Sequence, residues 1–295
     1  MGGPDFHFGS MVRDGKKGIR ALLGLGLAAI LTVVMVPVKA SAQSNVRYTV
    51  VVNNQAPAVT YTIQGVYWPT NSEFFSQPGG GVLETWNSQL YGIDFRVDTR
   101  SHWGIHLNGV TGSQSNWGFG GAAPVGLSLS GTDTIWTADV SYLVQQPLPE
   151  NPLQLVTFRA FLGYGDAKGN LFSSNLSGLG PASLTADSTG FRVGFDFSYP
   201  FAASAWSLNA GVAYAPSMTT TISGTANAMT QTASAGGTGW DGQASVRYTA
   251  PGHWNVEVGY RYVREEQGAL NMFGAAVCPC HTLRQGPFVA AGVSF

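Results

Sequence analysis

The segment HWNVEVGYRYVRE, residues 253–265, decides the fold class, because apolar and polar residues alternate along most of it. The apolar positions are Trp254, Val256, Val258, Tyr260 and Tyr262. The positions between them hold asparagine, glutamate, glycine and arginine. An alternation with a period of two predicts a β-strand with one apolar and one polar face. Residues 191–199 and 240–248 repeat the pattern, so the chain contains several such strands.

The composition excludes several classes of protein. Charged residues make up 11% of the 295 residues and aromatic residues 12%, whereas about a quarter of a typical soluble domain is charged. After residue 40 no apolar run reaches the length of about 18 residues that a membrane-spanning helix requires. The formal net charge of −1 does not favour nucleic-acid binding, which requires a basic face.

Ten segments after residue 57 alternate in this way and are predicted as strands. They are residues 58–67, 84–98, 101–112, 132–145, 153–166, 188–199, 204–216, 238–249, 253–266 and 284–295. Short, turn-rich connections between them alternate with long stretches rich in Gly, Ser and Thr, which are predicted as loops. The predicted loops are residues 68–83, 113–131, 167–187, 217–237 and 267–283. This pattern is typical of an all-β fold, a transmembrane antiparallel up-and-down β-barrel. Ten is the predicted number of strands, with eight and twelve as the alternatives.

Aromatic residues recur near both ends of several strands, on the apolar face. The pairs are Trp136 with Tyr142, Trp206 with Tyr214, Trp240 with Tyr248, and Trp254 with Tyr262. At about 3.3 Å per residue the members of a pair lie ~20–26 Å apart along the strand. This separation predicts two aromatic girdles around an apolar, lipid-facing band. Closure of the sheet is also expected, because an open edge in lipid leaves backbone groups unpaired.

The polar face predicts the lining of the lumen, where five acids, five arginines and one histidine balance each other. These residues are Asp94, Arg96, His106, Asp139, Arg159, Arg192, Asp196, Asp241, Arg247, Glu257 and Arg261. Balanced charge favours a network of ion pairs, whereas an ion-selective channel usually carries one sign in excess. Ten strands also form a barrel close to the size that side chains fill. We therefore expect a narrow or plugged lumen, with a narrow passive porin for small solutes as the alternative.

The N-terminus has the three parts of a secretory signal peptide. Basic residues precede the apolar segment 21–38, and Ala40-Ser41-Ala42 fits the site of cleavage. The sequence therefore predicts a signal peptide over residues 1–42, with Met11 as an alternative start. A membrane anchor is the alternative interpretation of the apolar segment. Residues 43–57 are predicted as an N-terminal lead-in, and residues 58–295 as the barrel.

Taken together, residues 58–295 resemble bacterial outer-membrane up-and-down β-barrels of the small OmpA-transmembrane or opacity-porin kind. The resemblance rests on the signal peptide, the alternation, the unequal connections and the terminal sequence FVAAGVSF. It implies that the barrel-assembly machinery reads the C-terminal residues Val289, Ala291, Val293 and Phe295. Val293 stands where the family often has an aromatic residue. We therefore expect the chain in the outer membrane of a Gram-negative bacterium, in contact with lipid and lipopolysaccharide.

Enzymatic interpretations find little support in the sequence. Ten strands is also the count of the omptin outer-membrane proteases, which use acids and histidines at the extracellular rim. Here His106 falls in mid-strand, and His102 and His253 fall near the periplasmic ends. A nucleophile, histidine and acid for lipid-A modification are not evident on the lipid face. We expect a non-enzymatic protein without a cofactor or metal, in an envelope-structural or surface-interaction role with an unidentified external partner. A protease or lipid-A modifying enzyme is the second alternative.

The sequence CPCHTL contains the only two cysteines, Cys278 and Cys280, in the last predicted external loop. Outside the reducing cytoplasm such residues often form disulfides, and a local bridge between them is the first interpretation. Free thiols or an intermolecular bridge come second. A metal site with His281 comes third, because these three side chains are one ligand short of a closed zinc site.

Overall fold

The alternating segments form strands that close into a barrel. A computed structural model describes residues 59–76, 82–119, 129–147, 154–173, 182–201, 204–226, 229–251, 253–272, 275–277 and 280–295. The predicted signal peptide, residues 1–42, and the predicted lead-in, residues 43–57, lie outside the described residues. Within the described ranges no helix is long and apolar enough to cross a membrane.

The barrel has ten antiparallel strands, as the sequence predicts. In chain order the described strands are β1 (Val59–Ser76), β2 (Val82–Thr99), β3 (Trp103–Phe119), β4 (Leu129–Pro147), β5 (Leu155–Ser173), β6 (Ala182–Pro200), β7 (Trp206–Ala226), β8 (Met229–Thr249), β9 (Trp254–Gln267), β10 (Leu270–Met272), β11 (Ala275–Val277) and β12 (Cys280–Ser294). Strands β1–β9 and β12 form the barrel, and β10 pairs with β11 in a separate small sheet.

The last strand closes the barrel on the first. Ile63 in β1 lies opposite Val293 in β12, and Tyr67 lies opposite Val289. The pairing continues to the final residue, because the backbone N–H of Tyr61 donates to the carbonyl of Phe295 at 2.8 Å and the reverse bond measures 2.9 Å. Both ends of the described barrel therefore lie at the same rim. In outer-membrane barrels the rim with short turns faces the periplasm.

At the opposite rim the strands are longer than predicted, and most of the predicted loop residues belong to strands. Strands β7 and β8 pair as far as Ala226 and Met229, although residues 217–237 were predicted as a loop. The hydroxyls of Thr221 and Ser234 lie 3.0 Å apart across this hairpin. Threonine favours strands, and cross-strand hydroxyl pairs stabilise them. A stretch rich in Ser and Thr therefore extends the sheet above the membrane.

The alternation places apolar side chains on the outside of the barrel. Leu162 is 59% exposed and Trp254 is 61% exposed, and many other valines, isoleucines and aromatic residues of the outer face are similarly uncovered by protein. Apolar surface of this extent is unfavourable in water and favourable against hydrocarbon. The outer face of the barrel therefore contacts lipid.

Candidate functional site

Inside the barrel, seven side chains form a closed ring of polar contacts, which we call the charged ring. Its members, in order, are Asp94, His106, Asp139, Arg192, Asp241, Arg261 and Asn108. They come from β2, β3, β4, β6, β8 and β9, so the ring connects most of the barrel wall. Alternation turns each of these residues inward, and antiparallel pairing brings them to a similar level.

Asp241 is the most strongly paired carboxylate of the charged ring. Arg261 donates to it from Nε at 3.1 Å and from Nη2 at 2.9 Å. Arg192 donates to the same carboxylate at 3.0 Å. The other nitrogen contact of Arg192, from Nε, lies 3.2 Å from a carboxylate oxygen of Asp139. The three contacts to Asp241 are charge-assisted hydrogen bonds, which are the strong hydrogen bonds of proteins, whereas the contact to Asp139 is an ion pair.

His106 lies between two carboxylates. Its Nε2 is 2.6 Å from Asp94, and its Nδ1 is 3.6 Å from Asp139. The Asn108 side chain donates to Asp94 at 3.2 Å and accepts from Arg261 at 3.1 Å, which closes the ring. His106 therefore serves as a bridge between acids within the lumen.

The remaining predicted lumen residues form two smaller groups closer to the periplasmic rim. Arg159 pairs with Asp98 at 2.8 Å and lies 3.8 Å from Asp196, which also contacts Arg96 at 3.5 Å. Arg247 makes two contacts to Glu257, at 2.8 and 2.6 Å. Ser245 donates to the other oxygen of Glu257. Every one of the eleven predicted lumen residues therefore has a polar partner inside the lumen, in three separate groups.

Sequence reasoning missed four charged residues of the lumen: Asp98, Asp133, Glu265 and Arg284. Arg284 lies 3.5 Å from Asp133 and 3.2 Å from Glu265, near the external side of the lumen. Asp133 also accepts hydrogen bonds from Trp86 and Gln114, both at 2.9 Å, and from Ser88. The alternation does indicate these positions. Asp98, Asp133 and Glu265 each lie an even number of residues from a predicted lumen residue of the same strand, and Arg284 lies on the inward face of β12.

Between the charged ring and this upper cluster, buried apolar side chains pack together in the lumen. We call this set the apolar layer, and it consists of Trp68, Leu90, Val110, Ile135, Ala167, Val263 and Phe288. Trp68 is 1% exposed and Leu90 is 0% exposed. The indole N–H of Trp68 donates to the carbonyl of Gly286 at 3.2 Å. The guanidinium carbon of Arg261 lies 4.9 Å from the centre of the Trp68 ring, so the charged ring supports the layer from below.

Two small polar cavities adjoin the charged ring. Each has a volume of about 40 Å³, and Asp94, Asn108, Gln243 and Arg261 line both. A cavity of this size accommodates a few water molecules. Below the apolar layer, the lumen therefore has room for water beside the paired charges.

The aromatic residues of the outer face lie in two rows. Tyr214 and Trp240 are neighbours in the external row, with ring centres 4.5 Å apart. Trp206 and Tyr248 are neighbours in the periplasmic row, 5.0 Å apart. The register adds Trp136 and Tyr262 to the first row, and Tyr142 and Trp254 to the second. Sequence reasoning missed other members, among them Tyr61, Tyr91, Trp103 and Tyr164.

The C-terminal residues Val289, Ala291, Val293 and Phe295 lie on the outer face of β12. Phe295 is 60% exposed, and its ring stacks on Tyr61 with the centres 5.6 Å apart. The outer face of the terminal strand is therefore apolar and contacts lipid, and the strand ends on an aromatic contact with β1.

The predicted cysteine bridge stays a prediction. Cys278 lies outside the described residues, and of Cys280 only the backbone is described, opposite Ser76. In the described part of the chain no group of three or more His, Cys, Asp or Glu side chains is arranged to hold a metal ion.

Comparisons with known proteins identify the fold. No family model and no curated protein matches the chain. The outer-membrane protease OmpT from Escherichia coli superposes with a TM-score of 0.53 at 9% identity, over 80% of this chain and 96% of that one. The translocator domain of the autotransporter NalP from Neisseria meningitidis gives 0.42 at 9% identity, over 96% and 98% of the two chains.

A major outer membrane protein from Thermus thermophilus gives a TM-score of 0.38 at 14% identity, over 81% of this chain and 100% of that one. At 9% identity, the similarity to OmpT concerns the fold alone. The lipid-facing band and the two aromatic rows are independent physical evidence that the barrel spans a membrane. This chain therefore has the fold of the outer-membrane up-and-down β-barrels, and its outer face fits it to that membrane.

Proposed function

We propose that this protein is a non-enzymatic outer-membrane barrel with a closed lumen, in an envelope-structural or surface-interaction role. The apolar layer is the observation that carries the proposal. Trp68 and Leu90 are almost completely covered by protein in the middle of the bore. Hydrophobic constrictions exclude water and thereby block ions. A lumen closed at this level leaves the outer surface and the external strands as the functional parts.

The charged ring supports the same proposal. Asp241 is held by two arginines, and Asp94 by His106 and Asn108. Side chains that satisfy each other are costly to separate, because each would be left as an unpaired charge away from bulk water. The ring therefore resists the rearrangement that a solute passing through the barrel would require.

A narrow passive porin is the alternative, and the two polar cavities favour it. Both cavities, of about 40 Å³ each, adjoin Arg261. Movement of Arg261 and the nearby Trp68 would connect them to the upper lumen. Single-channel recording of the purified barrel in a planar bilayer tests the two candidates. The closed lumen predicts a baseline without discrete steps, and steps of stable size would contradict it.

We propose a non-enzymatic role because the lumen histidine, His106, is held between two acids, while His102 and His253 occupy turn positions at the periplasmic rim. His106 contacts acids inside the lumen. His102 and His253 occupy left-handed turn positions, with φ of 70° and 69°, at the periplasmic rim. His281 lies at the external end of β12, opposite Glu266 in the register. Mass spectra of lipid A from cells with and without the protein should be identical, and a changed acyl pattern would favour the enzyme.

We also infer that the barrel-assembly machinery and lipopolysaccharide are partners of this protein. The backbone of Phe295 is paired to Tyr61, so an assembly factor that positions the last strand would act at the seam between β1 and β12. The exposed apolar face of the external half of the barrel would contact the acyl chains of lipopolysaccharide.

A further inference from the structure

Strands β2, β3 and β4 form a recess on the lipid-facing surface. It has a volume of about 620 Å³. Three rows of residues define it, and the register places Ile93, Gly109 and Trp136 side by side in the central row. Tyr91, Thr111 and Thr134 form the row above, toward the external rim. Phe95, Leu107 and Ala138 form the row below.

The recess exists because Gly109 lacks a side chain at the centre of an otherwise bulky surface. A Cβ atom at this position would meet only the Cβ of Trp136, at 3.9 Å, so the space above the backbone is open. Ile93 stands on one side of this floor and Trp136 on the other. A larger side chain would therefore fit at position 109 without a clash, and it would fill the recess.

The external end of the recess carries hydroxyl groups. Thr111 and Thr134 face outward, and their hydroxyl oxygens lie 2.8 Å apart. The Thr111 hydroxyl also donates to the backbone carbonyl of Asp133 at 3.1 Å. These groups lie beside Tyr91 and Trp136, in the external aromatic row. The recess is thus apolar within the hydrocarbon band and polar at the level of the head groups.

We propose that the recess binds one acyl chain of the lipid A part of lipopolysaccharide. From Thr111 to Leu107 the floor runs four residues, or about 13 Å at 3.3 Å per residue. One leaflet of the hydrocarbon core is about 15 Å thick, half of the bilayer value. An extended chain fits this length, with its ester or amide carbonyl near the two threonine hydroxyls. The external half of the barrel faces the leaflet that contains lipopolysaccharide.

The shape favours a hydrocarbon chain over a second copy of the barrel. Strands β2 and β4 are two strand spacings apart, about 10 Å. Ile93 lies on one side of the Gly109 floor and Trp136 on the other, so the recess runs along the strands, as an extended hydrocarbon chain would. A neighbouring barrel would present separate side chains from several strands.

Native mass spectrometry of the folded barrel in detergent tests this proposal. Wild type, Gly109→Leu and Gly242→Leu are each incubated with purified lipid A or with phosphatidylglycerol. Gly242 is the matched control, because it lies on the outer face of β8, across the barrel, and a Cβ there meets only the carbonyl of Gly211 at 4.0 Å. We expect wild type and Gly242→Leu to retain lipid A. Gly109→Leu should retain it about tenfold less, which corresponds to the lost burial of about two methylene groups.

Three results would overturn the proposal. The first is equal retention of lipid A by the three proteins while heat-modifiable gel mobility shows that all are folded. The second is retention of phosphatidylglycerol as strong as that of lipid A. The third is a wild-type dimer that Gly109→Leu converts to monomer. Ala138→Phe, which fills the lower end, should reproduce the loss if Gly109→Leu does not fold. The inference rests on the proposed outer-membrane role but not on the closed lumen, so conductance and lipid retention can fail separately.

Discussion

The inner and outer faces of the same strands place similar residues under opposite constraints. Leu90 faces the lumen at 0% exposure, whereas Leu162 faces lipid at 59% exposure. Asp241 is held by two arginines in the charged ring, whereas Asp166 lies outside on β5. On the outer face a fluid solvent accommodates any apolar side chain. On the inner face each side chain depends on particular neighbours, so the same substitution should have unequal effects on the two faces.

The largest contrast is expected for tryptophan. Trp68→Ala removes a side chain that fills the apolar layer, donates to Gly286 and lies against Arg261. The expected loss in free energy of unfolding is about 4 kcal/mol. Trp254→Ala, on the lipid face, should cost less than about 1 kcal/mol because lipid or detergent chains occupy the vacated space. Urea unfolding in detergent micelles measures both, and equal losses would remove the distinction between the faces.

The second contrast concerns aspartate. Asp241→Ala leaves Arg261 and Arg192 without their shared carboxylate, and the expected loss is about 3 kcal/mol. Asp166→Ala should change stability by less than about 0.5 kcal/mol, as most surface substitutions do. The temperature at which gel mobility shifts should fall for the first variant only. An equal fall in this temperature for the two variants would show that the ion pairs of Asp241 do not stabilise the barrel.

The third contrast compares two phenylalanines, one expected to act mainly on stability and the other mainly on assembly. Phe288→Ala opens the apolar layer and should lower the free energy of unfolding by about 3 kcal/mol. Phe295→Ala removes the terminal ring that stacks on Tyr61, with an expected loss of about 1 kcal/mol. If the terminal residue is an assembly signal, Phe295→Ala should reduce the amount of folded barrel in the outer membrane more than Phe288→Ala does. Membrane fractionation measures this amount, and the opposite order would contradict the signal.

The smallest effect is expected above the membrane. Thr221→Val removes the hydroxyl pair with Ser234 but keeps a β-branched side chain in β7. A cross-strand pair contributes about 0.5 kcal/mol, so the free energy of unfolding should change by no more than that. A loss above about 2 kcal/mol in urea unfolding would mean that the external strands are coupled to the lumen.

The sequence allowed the strands and their faces to be predicted because alternation is a local property. Residues such as Glu257 and Arg261 could be assigned to the lumen by parity alone. The extent of β7 and β8 was missed, since composition cannot separate a loop rich in Ser and Thr from a paired strand. The grouping of charges was also hidden. It depends on the stagger between strands, which brings Arg192 from β6 to Asp241 in β8.

The apolar layer was the least predictable part of the site. Its members lie on the inward face of β1–β5, β9 and β12, where the alternation predicts polar residues. Trp68 also falls in a segment predicted as a loop. A single Leu or Ile on a polar face carries little information by itself. Only the closed barrel brings them together into one cluster, which we propose acts as a barrier across the lumen.

Single-channel conductance of wild type and of the double variant Trp68→Ala/Leu90→Ala tests this barrier most directly. The variant removes the two largest fully covered apolar side chains from the layer. The control is Trp254→Ala/Leu162→Ala, which removes the same residue types from the lipid face. We expect no stable steps from wild type or the control, and discrete steps from the Trp68→Ala/Leu90→Ala variant. Stable steps from wild type, of the same size as those of this variant, would contradict a lumen closed by the apolar layer.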